Sequence, residues 1–182
     1  LFSDCYAVLA LALSRTETLR MGPGTAITGT RIPPVHVAAM GTLNRLAPGR
    51  VHLGIGTGNT AMRSMGHKPM RIKDYEAYLA ALSGLLRGEV VDYEFNGTTT
   101  PVKMLMHEFK YMNLEPKIPL YVSGFGPRAM GLAGAYGDGL VFAIPPRGVA
   151  VPQALAHVRQ GAARVGRTPV SYTHLRAHET LL

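Results

Sequence analysis

The chain of 182 residues is poor in cysteine, in acidic residues and in long apolar runs. Its single cysteine, Cys5, excludes an internal disulfide framework and suits a reducing compartment. No uninterrupted apolar stretch approaches the roughly 18 residues that a membrane-spanning helix needs. Charged residues make up only 16% of the chain and hydrophobic residues 47%, which is the composition of a folded globular domain.

The shortage of acids leaves 19 basic residues against 11 acidic ones and a formal charge of +8. A nucleic-acid-binding protein usually concentrates its basic residues on one face or element. Here no run of Lys or Arg exceeds two residues, and no basic stripe alternates with aromatic residues. We therefore expect solvated, dispersed charge, with neither nucleic acid nor membrane as a partner.

Short apolar strands alternate with amphipathic helices along most of the chain. The clearest helix spans 72–86, where Ile72, Tyr75, Leu79, Leu82 and Leu86 recur at helical spacing. The segment 89–118 is predicted to be irregular, with a turn at 96–97. Strands are predicted near 19–25, 51–56, 119–124 and 139–143. Further helices are predicted over 4–14, from Pro34 with Val35, Ala39, Leu43 and Leu46 on one face, over 127–136, and over 151–165 with Val165 on its apolar face.

Alternating strands and helices predict an α/β fold with a parallel sheet. Two closures fit this pattern: an open doubly wound sheet, and a (β/α)₈ TIM barrel. A complete barrel takes roughly 250 residues, so this chain would form only part of one.

Ligand sites in both closures lie where parallel strands end, and three predicted ends are rich in glycine. They are Gly22 to Thr25, Gly54 to Thr60, and Ser123 to Arg128 just before a helix. Glycine lets a ligand approach the backbone closely, and a helix N-terminus favours phosphate, although such glycines also simply make tight turns. The last segment matches the dinucleotide fingerprint as Gly124-x-Gly126-x-x-Ala129, but Asp138 comes too early to complete that motif.

Other chemistries are poorly represented. His174 and His178 are four residues apart and precede Glu179, but the zincin arrangement places Glu beside the first His. No nucleophile elbow of the G-x-S-x-G type is present. We expect no metal site.

Several segments together resemble the luciferase-like flavin-dependent oxidoreductases, a (β/α)₈ family of monooxygenases and deazaflavin-dependent reductases. The resemblance runs in order over about residues 4–170 and is greatest for the branch similar to methylene-tetrahydromethanopterin reductase. It rests on Gly22 to Thr25 with Arg31-x-Pro33, Leu43 to Gly58, Gly66-x-Lys68-Pro69, Glu76, Leu85-x-x-Gly88-Glu89, Gly97, Pro119 to Pro127, Ala133-Gly134 and Asp138-Gly139.

The resemblance implies an isoalloxazine-type cofactor, either FMN or coenzyme F420, and a non-proline cis peptide at Gly24–Thr25 that supports its ring. Gly56, Thr57, Gly58 and Asn59 would contact the ring or its side chain, and Ser123, Gly124, Gly126 and Pro127 would lie near the ribityl chain and phosphate. In the deazaflavin-dependent glucose-6-phosphate relatives an acidic catalytic residue stands where Asn59 stands. Asn cannot act as that base, so no catalytic residue is assigned.

The expected function is a flavin- or F420-dependent oxidoreductase that acts on a small organic substrate by hydride transfer or oxygen insertion. The alternatives are an NAD(P)-binding Rossmann oxidoreductase and a basic binding module without enzymatic activity. We expect a cytoplasmic protein whose full-length form is a homo-oligomer. Residues 1–170 are expected to be a partial barrel domain that lacks the first and last strands and is inactive alone, and 171–182 a non-native tail.

Overall fold

A computed structural model of the chain describes residues 3–105, 109–142 and 150–168. Helices and strands alternate along these residues, with one hairpin between the fourth helix and the next sheet strand. In chain order the elements are α1 (Cys5–Ser14), β1 (Ala26–Ile27), α2 (Pro33–Leu46), β2 (Leu53–Gly56), α3 (Asn59–Ser64), α4 (Ile72–Leu86), β3 (Val91–Phe95), β4 (Thr98–Val102), β5 (Leu120–Ser123), α5 (Pro127–Tyr136), β6 (Gly139–Val141) and α6 (Ala150–Arg164).

The main sheet has four parallel strands in the order β1-β2-β5-β6, which is also their order in the chain. Ile27 is level with Gly56, and Ser123 is level with Val141. Sequential parallel strands joined by helical crossovers form an arc of a barrel, whereas a doubly wound sheet reverses its strand order. The α/β prediction and the predicted parallel pairing are therefore confirmed, with helix–strand units of a partial (β/α)₈ barrel.

Side chains alternate between the two faces of the sheet along each strand, so the apolar residues lie on one face and the glycines and polar or aromatic residues on the other. Leu53, Ile55, Leu120 and Val122 are buried in one core with the helices. The predicted face of α4 is confirmed, since its residues join the same core. They are Tyr75, Leu79, Leu82 and Leu86, with Ile72 packed at the margin. The other sheet face carries His52, Gly54, Gly56, Tyr121 and Ser123.

The first strand departs from its predicted bounds. Met21 forms an isolated parallel bridge with Val51, and regular pairing resumes only at Ala26–Ile27. The segment 22–25 therefore lies within the path of the strand, where pairing is interrupted, and not at its end. Glycine and proline weaken strand pairing locally, which made the interruption look like a terminus in the sequence.

The predicted apolar face of α2 is wrong at two positions. Val35 is 43% exposed and Leu46 is 52% exposed. The buried face instead includes His36 and Asn44, and the Asn44 amide donates to the carbonyl oxygens of Asn113 and Pro116. Apolar periodicity could not detect a face on which hydrogen-bonded polar side chains replace apolar ones.

The segment 89–118 was predicted to be irregular, and this too is corrected. Val91–Phe95 and Thr98–Val102 pair antiparallel as a hairpin. The predicted turn at Asn96 and Gly97 is present, with φ of 52° and 79°, as a two-residue hairpin loop requires. In Val91–Phe95 the apolar residues Val91, Tyr93 and Phe95 alternate with Asp92 and Glu94, a strand signal that the prediction of an irregular segment overlooked, whereas Thr98–Val102 is mostly polar and exposed.

The last helices pack closely through glycine. A Cβ atom added at Gly134 would lie 1.9 Å from the carbonyl oxygen of Val158. Helix α6 ends at Arg164, and Val165, predicted on its apolar face, is 42% exposed. The predicted strand end at 143 and the predicted tail at 171–182 lie outside the described residues.

Candidate functional site

The face of β2 that points away from the helices is almost bare. Gly54 and Gly56 alternate with the core residues Leu53 and Ile55, so two successive positions carry no side chain. A Cβ atom at Gly54 would lie 2.4 Å from the carbonyl oxygen of Pro23. The backbone of the neighbouring segment thus approaches Gly54 more closely than any side chain would allow.

That neighbouring segment contains the peptide bond Gly24–Thr25, which is cis as the family resemblance implied. The Gly54 amide donates to Pro23 below it, and the Thr28 amide donates to Gly56 above it. Gly24 is level with Gly54, because its Cα lies 3.5 Å from a Cβ built there. It therefore sits one step below the carboxyl edge, whereas Gly56 and Gly124 lie at that edge.

Three predicted residues meet around Gly56. A Cβ atom built on Gly56 would lie 3.1 Å from the Thr25 hydroxyl oxygen and 3.3 Å from the Cβ of Ser123. Thr25 and Ser123 are half-buried; Thr25 immediately precedes β1 and Ser123 ends β5, the two strands on either side of β2. The result is a shallow concavity with a glycine floor and a hydroxyl group on each flank.

The turn from β5 into α5 forms the far side of this concavity. The Gly124 amide donates to the Val141 carbonyl, and a Cβ at Gly124 would lie 2.7 Å from the Cβ of Ala129. Helix α5 starts at Pro127 after Gly126, and no side-chain hydrogen bond caps it. Its first-turn N–H groups and positive dipole end suit a phosphate group.

The turn after β2 places its residues differently. Gly58 has φ of +77°, and a Cβ there would lie 2.1 Å from Cγ2 of Ile27, so this position requires glycine. It begins α3, a helix of six residues that the sequence did not predict. The exposed side chain of Asn59 accepts a hydrogen bond from Nε of Arg63 at 2.9 Å. Thr57 is half-buried beside Gly56, whereas the Asn59 side chain is exposed and engaged with Arg63.

Two features near the concavity were not predicted. The buried Tyr75 hydroxyl of α4 lies 2.9 Å from the Ile55 carbonyl oxygen, directly before Gly56. On the bare face, the rings of His52 and Tyr121 lie 5.3 Å apart below Gly56 and Ser123. Burial lowers the pKa of His52, with a contribution from Arg20, which favours a neutral imidazole. None of Tyr75, His52 and Tyr121 belongs to a glycine-rich strand end, so no motif pointed to them.

Within 3–105, 109–142 and 150–168, no three His, Cys, Asp or Glu side chains come together as a metal site. His174 and His178 lie outside the described residues. The chemistry available at this edge is that of backbone amides, two hydroxyl groups and a flat glycine surface, which together can hold a planar ring and an attached anion.

None of the helices described for this chain is long and apolar enough to cross a membrane.

The chain resembles known proteins along nearly its whole length. A profile of the luciferase-like monooxygenase family matches residues 1–178. The 5,10-methylenetetrahydromethanopterin reductase of Methanolobus tindarius is 28% identical over 176 residues, which cover 91% of this chain and 49% of that protein. The chain thus spans about half the length of this relative.

Solved structures show the same fold. An F420-dependent secondary alcohol dehydrogenase in complex with an F420-acetone adduct superposes with a TM-score of 0.70 at 24% identity, covering 92% of this chain and 51% of the other. The oxygenating constituent of 3,6-diketocamphane monooxygenase from Pseudomonas putida, in complex with FMN, gives 0.67 at 18% identity, covering 92% and 50%.

Proposed function

The chain belongs to the luciferase-like monooxygenase family, and from that premise we propose that it is part of a flavin- or F420-dependent oxidoreductase acting on a small organic substrate. The observation that carries the proposal is the concavity around Gly56. Its floor lacks side chains, a hydroxyl flanks each side, and an uncapped helix start adjoins it. This combination fits a planar ring with a phosphate-bearing side chain.

We assign the ring to the surface formed by Gly24, Thr25, Gly56 and the segment 57–59, and the phosphate side to the segment 123–127. A bound FMN or F420 would supply the redox chemistry, by hydride transfer or by oxygen activation. The chain's own groups would orient the ring through the Thr25 and Ser123 hydroxyls and bind the anion through backbone amides. Asn59 would contribute through its backbone, since its amide side chain bonds to Arg63.

We propose that residues 1–170 form one part of a (β/α)₈ domain and that 171–182 are a non-native tail. Two observations support the first statement: the chain covers half of its relatives, and β1 and β6 each pair on one side only among the described strands. Exposed strand edges are normally paired or covered. Because cofactor contacts also come from other strands in a complete barrel, we expect the 182 residues alone to bind cofactor weakly and to be inactive.

We further propose a cytoplasmic protein that forms a homo-oligomer when full-length and binds neither nucleic acid nor membranes. The dispersed basic residues support the absence of polyanionic partners. The oligomer rests on family resemblance, and light scattering of the full-length protein measures it.

The test of function is to purify the polypeptide extended at both ends to the length of its relatives and to record its absorption spectrum. A flavin or deazaflavin chromophore retained at one per subunit supports the proposal. Equilibrium dialysis then compares FMN, F420 and NADPH. Tight binding of NADPH without either of the other two would contradict it.

The matched variants for this dialysis are Gly56→Val, which fills the concavity, and Gly131→Ala, whose added Cβ meets nothing closer than 3.8 Å. We expect the first to abolish binding and the second to leave it unchanged. Equal affinities would place the cofactor elsewhere on the protein.

A further inference from the structure

We propose that Tyr75 is a positioning residue whose buried hydroxyl fixes the separation of β2 and β5 where they diverge into the two halves of the concavity. This inference deepens the proposed function, on which its relevance to cofactor binding rests. It concerns a residue of the outer helix layer that does not itself face the bare surface.

The hydroxyl lies between two carbonyl groups from neighbouring strands. It donates to Ile55 at 2.9 Å, and the Ser123 carbonyl oxygen is the second acceptor at 3.4 Å. Ile55 immediately precedes Gly56, and Ser123 immediately precedes Gly124. One side chain therefore contacts backbone carbonyl groups of both strands that lead into the site, next to Gly56 in β2 and at the end of β5.

Packing alone does not account for this hydroxyl. Tyr75 is fully buried, and a phenylalanine ring would fill the same core volume. Burying a hydroxyl is unfavourable unless it is hydrogen-bonded, so the group contributes through its acceptors. Burial also raises the pKa of Tyr75 well above its usual range, which keeps the phenol protonated and able to donate.

The Tyr75 hydroxyl contacts β2 and β5 at the point where the two strands stop pairing. The pairing of β2 with β5 ends at Ile55 and Val122. Beyond this point the first chain turns at Gly58 into α3, and the second turns at Gly126 into α5. The Tyr75 hydroxyl lies where the two strands separate, so it sets the width of the gap between their loops. That gap is the floor of the proposed ring site.

A second tyrosine of α4 provides the matched control. Tyr78 is equally buried, and its hydroxyl donates to the Arg31 carbonyl at 2.6 Å. Tyr78→Phe removes the same kind of hydrogen bond from the same helix. Its acceptor lies in a loop that contributes no residue to the concavity, so it reports the general cost of such a loss.

The first experiment compares Tyr75→Phe with Tyr78→Phe in the ligand-free chain by amide hydrogen exchange. In Tyr75→Phe we expect exchange of the Thr28 and Gly124 amides, which bond at this edge, to be about tenfold faster. In Tyr78→Phe those two amides should be unchanged, while the Val35 and His36 amides, which bond to Ile32, are accelerated. Unchanged exchange at Thr28 and Gly124 in Tyr75→Phe, or equal acceleration in both variants, overturns the proposal.

A measurement on the unaltered chain tests the contact even if Tyr75→Phe does not fold. The buried hydroxyl proton of Tyr75 should exchange slowly enough for NMR and show NOEs to residues 55–56 and 123–124. Failure to observe these NOEs, with the other buried tyrosine hydroxyl visible, counts against the contact.

Titration with FMN and with F420 then links the contact to binding. We expect the dissociation constant to rise at least tenfold in Tyr75→Phe and less than twofold in Tyr78→Phe, at similar melting temperatures. Equal changes overturn the positioning role. If the polypeptide extended at both ends binds neither compound, the proposed function fails, and hydrogen exchange alone decides the role of Tyr75.

Discussion

Replacement by alanine should affect different properties at the two glycines of β2: the stability of the chain at Gly54 and the affinity for cofactor at Gly56. Adding a methyl group at Gly54 places it 2.4 Å from the carbonyl oxygen of Pro23, which is backbone and cannot rotate away. The same Pro23 oxygen accepts the Gly54 amide hydrogen bond, so any movement also weakens that bond. At Gly56 the nearest atoms are 3.1 and 3.3 Å away and belong to the side chains of Thr25 and Ser123, which can shift slightly.

The free energy of unfolding should therefore separate the two variants. Overpacking against immobile atoms typically costs about 1–3 kcal/mol, which lowers the melting temperature of a chain this size by roughly 2–12 °C. Gly54→Ala should fall in that range. Gly56→Ala should cost less, because its two tight contacts, at 3.1 and 3.3 Å, need movements of only a few tenths of an ångström. Its new methyl group instead occupies the floor of the concavity, so cofactor affinity should drop at least tenfold.

Thermal and urea unfolding followed by circular dichroism measure the first difference, and fluorescence titration with FMN and F420 measures the second. A Gly54→Ala variant as stable as the unaltered chain would mean that the close approach of Pro23 is easily relieved, which contradicts the expected clash. Normal binding of either cofactor by Gly56→Ala would contradict the proposed ring site.

Three other outcomes follow from the structure. Gly134→Ala should lower the melting temperature, because its Cβ would lie 1.9 Å from the Val158 carbonyl, whereas Gly131→Ala should be neutral or stabilising; calorimetry compares them. Burial lowers the pKa of His36 from 6.5 to about 4. Unfolding therefore takes up a proton below pH 6.5, and stability should fall by up to about 3 kcal/mol as the pH drops towards 4. Urea midpoints measure this fall, which should be smaller in His36→Gln. Deleting 171–182 should change neither the melting temperature nor cofactor affinity.

The elements that could be predicted are those whose apolar residues follow one period. Helix α4 repeats Tyr75, Leu79 and Leu82 on one buried face, and the sequence placed it correctly. Likewise β2 alternates Leu53 and Ile55 with glycines, which predicts a strand with one bare face. Alternation of such elements predicted the parallel sheet, since parallel strands require crossovers.

The predictions were wrong where tertiary contacts, and not a regular spacing of apolar residues, determine which residues are buried or where an element begins. Asn44 is buried in α2 because carbonyl oxygens from a distant segment accept its hydrogen bonds, which no local pattern reveals. Helix α3 begins only because Gly58 adopts a left-handed conformation against Ile27. Strand β3 of the hairpin alternates apolar and acidic residues, a signal that the sequence prediction missed, whereas the polar residues of β4 gave no such signal.

For the candidate site, the sequence predicted the edge but not its details. Glycine at strand ends indicated Gly56 and Gly124, and parallel topology implies that such ends meet. The engagement of Asn59 with Arg63 depends on α3, which was not predicted. The contact of Tyr75 depends on how α4 packs on the sheet, and an apolar helical pattern treats its hydroxyl as part of a core residue.

The most direct test of the central claim is an amide chemical-shift titration of the 182-residue chain with FMN and with F420, using NADPH as the control. NMR detects weak binding, so the test does not require the complete barrel. The account predicts shifts confined to amides of 24–25, 56–59 and 123–127 for FMN or F420, with smaller ones for NADPH. Shifts confined to the outer helices, or none with either cofactor at millimolar concentration, would contradict it.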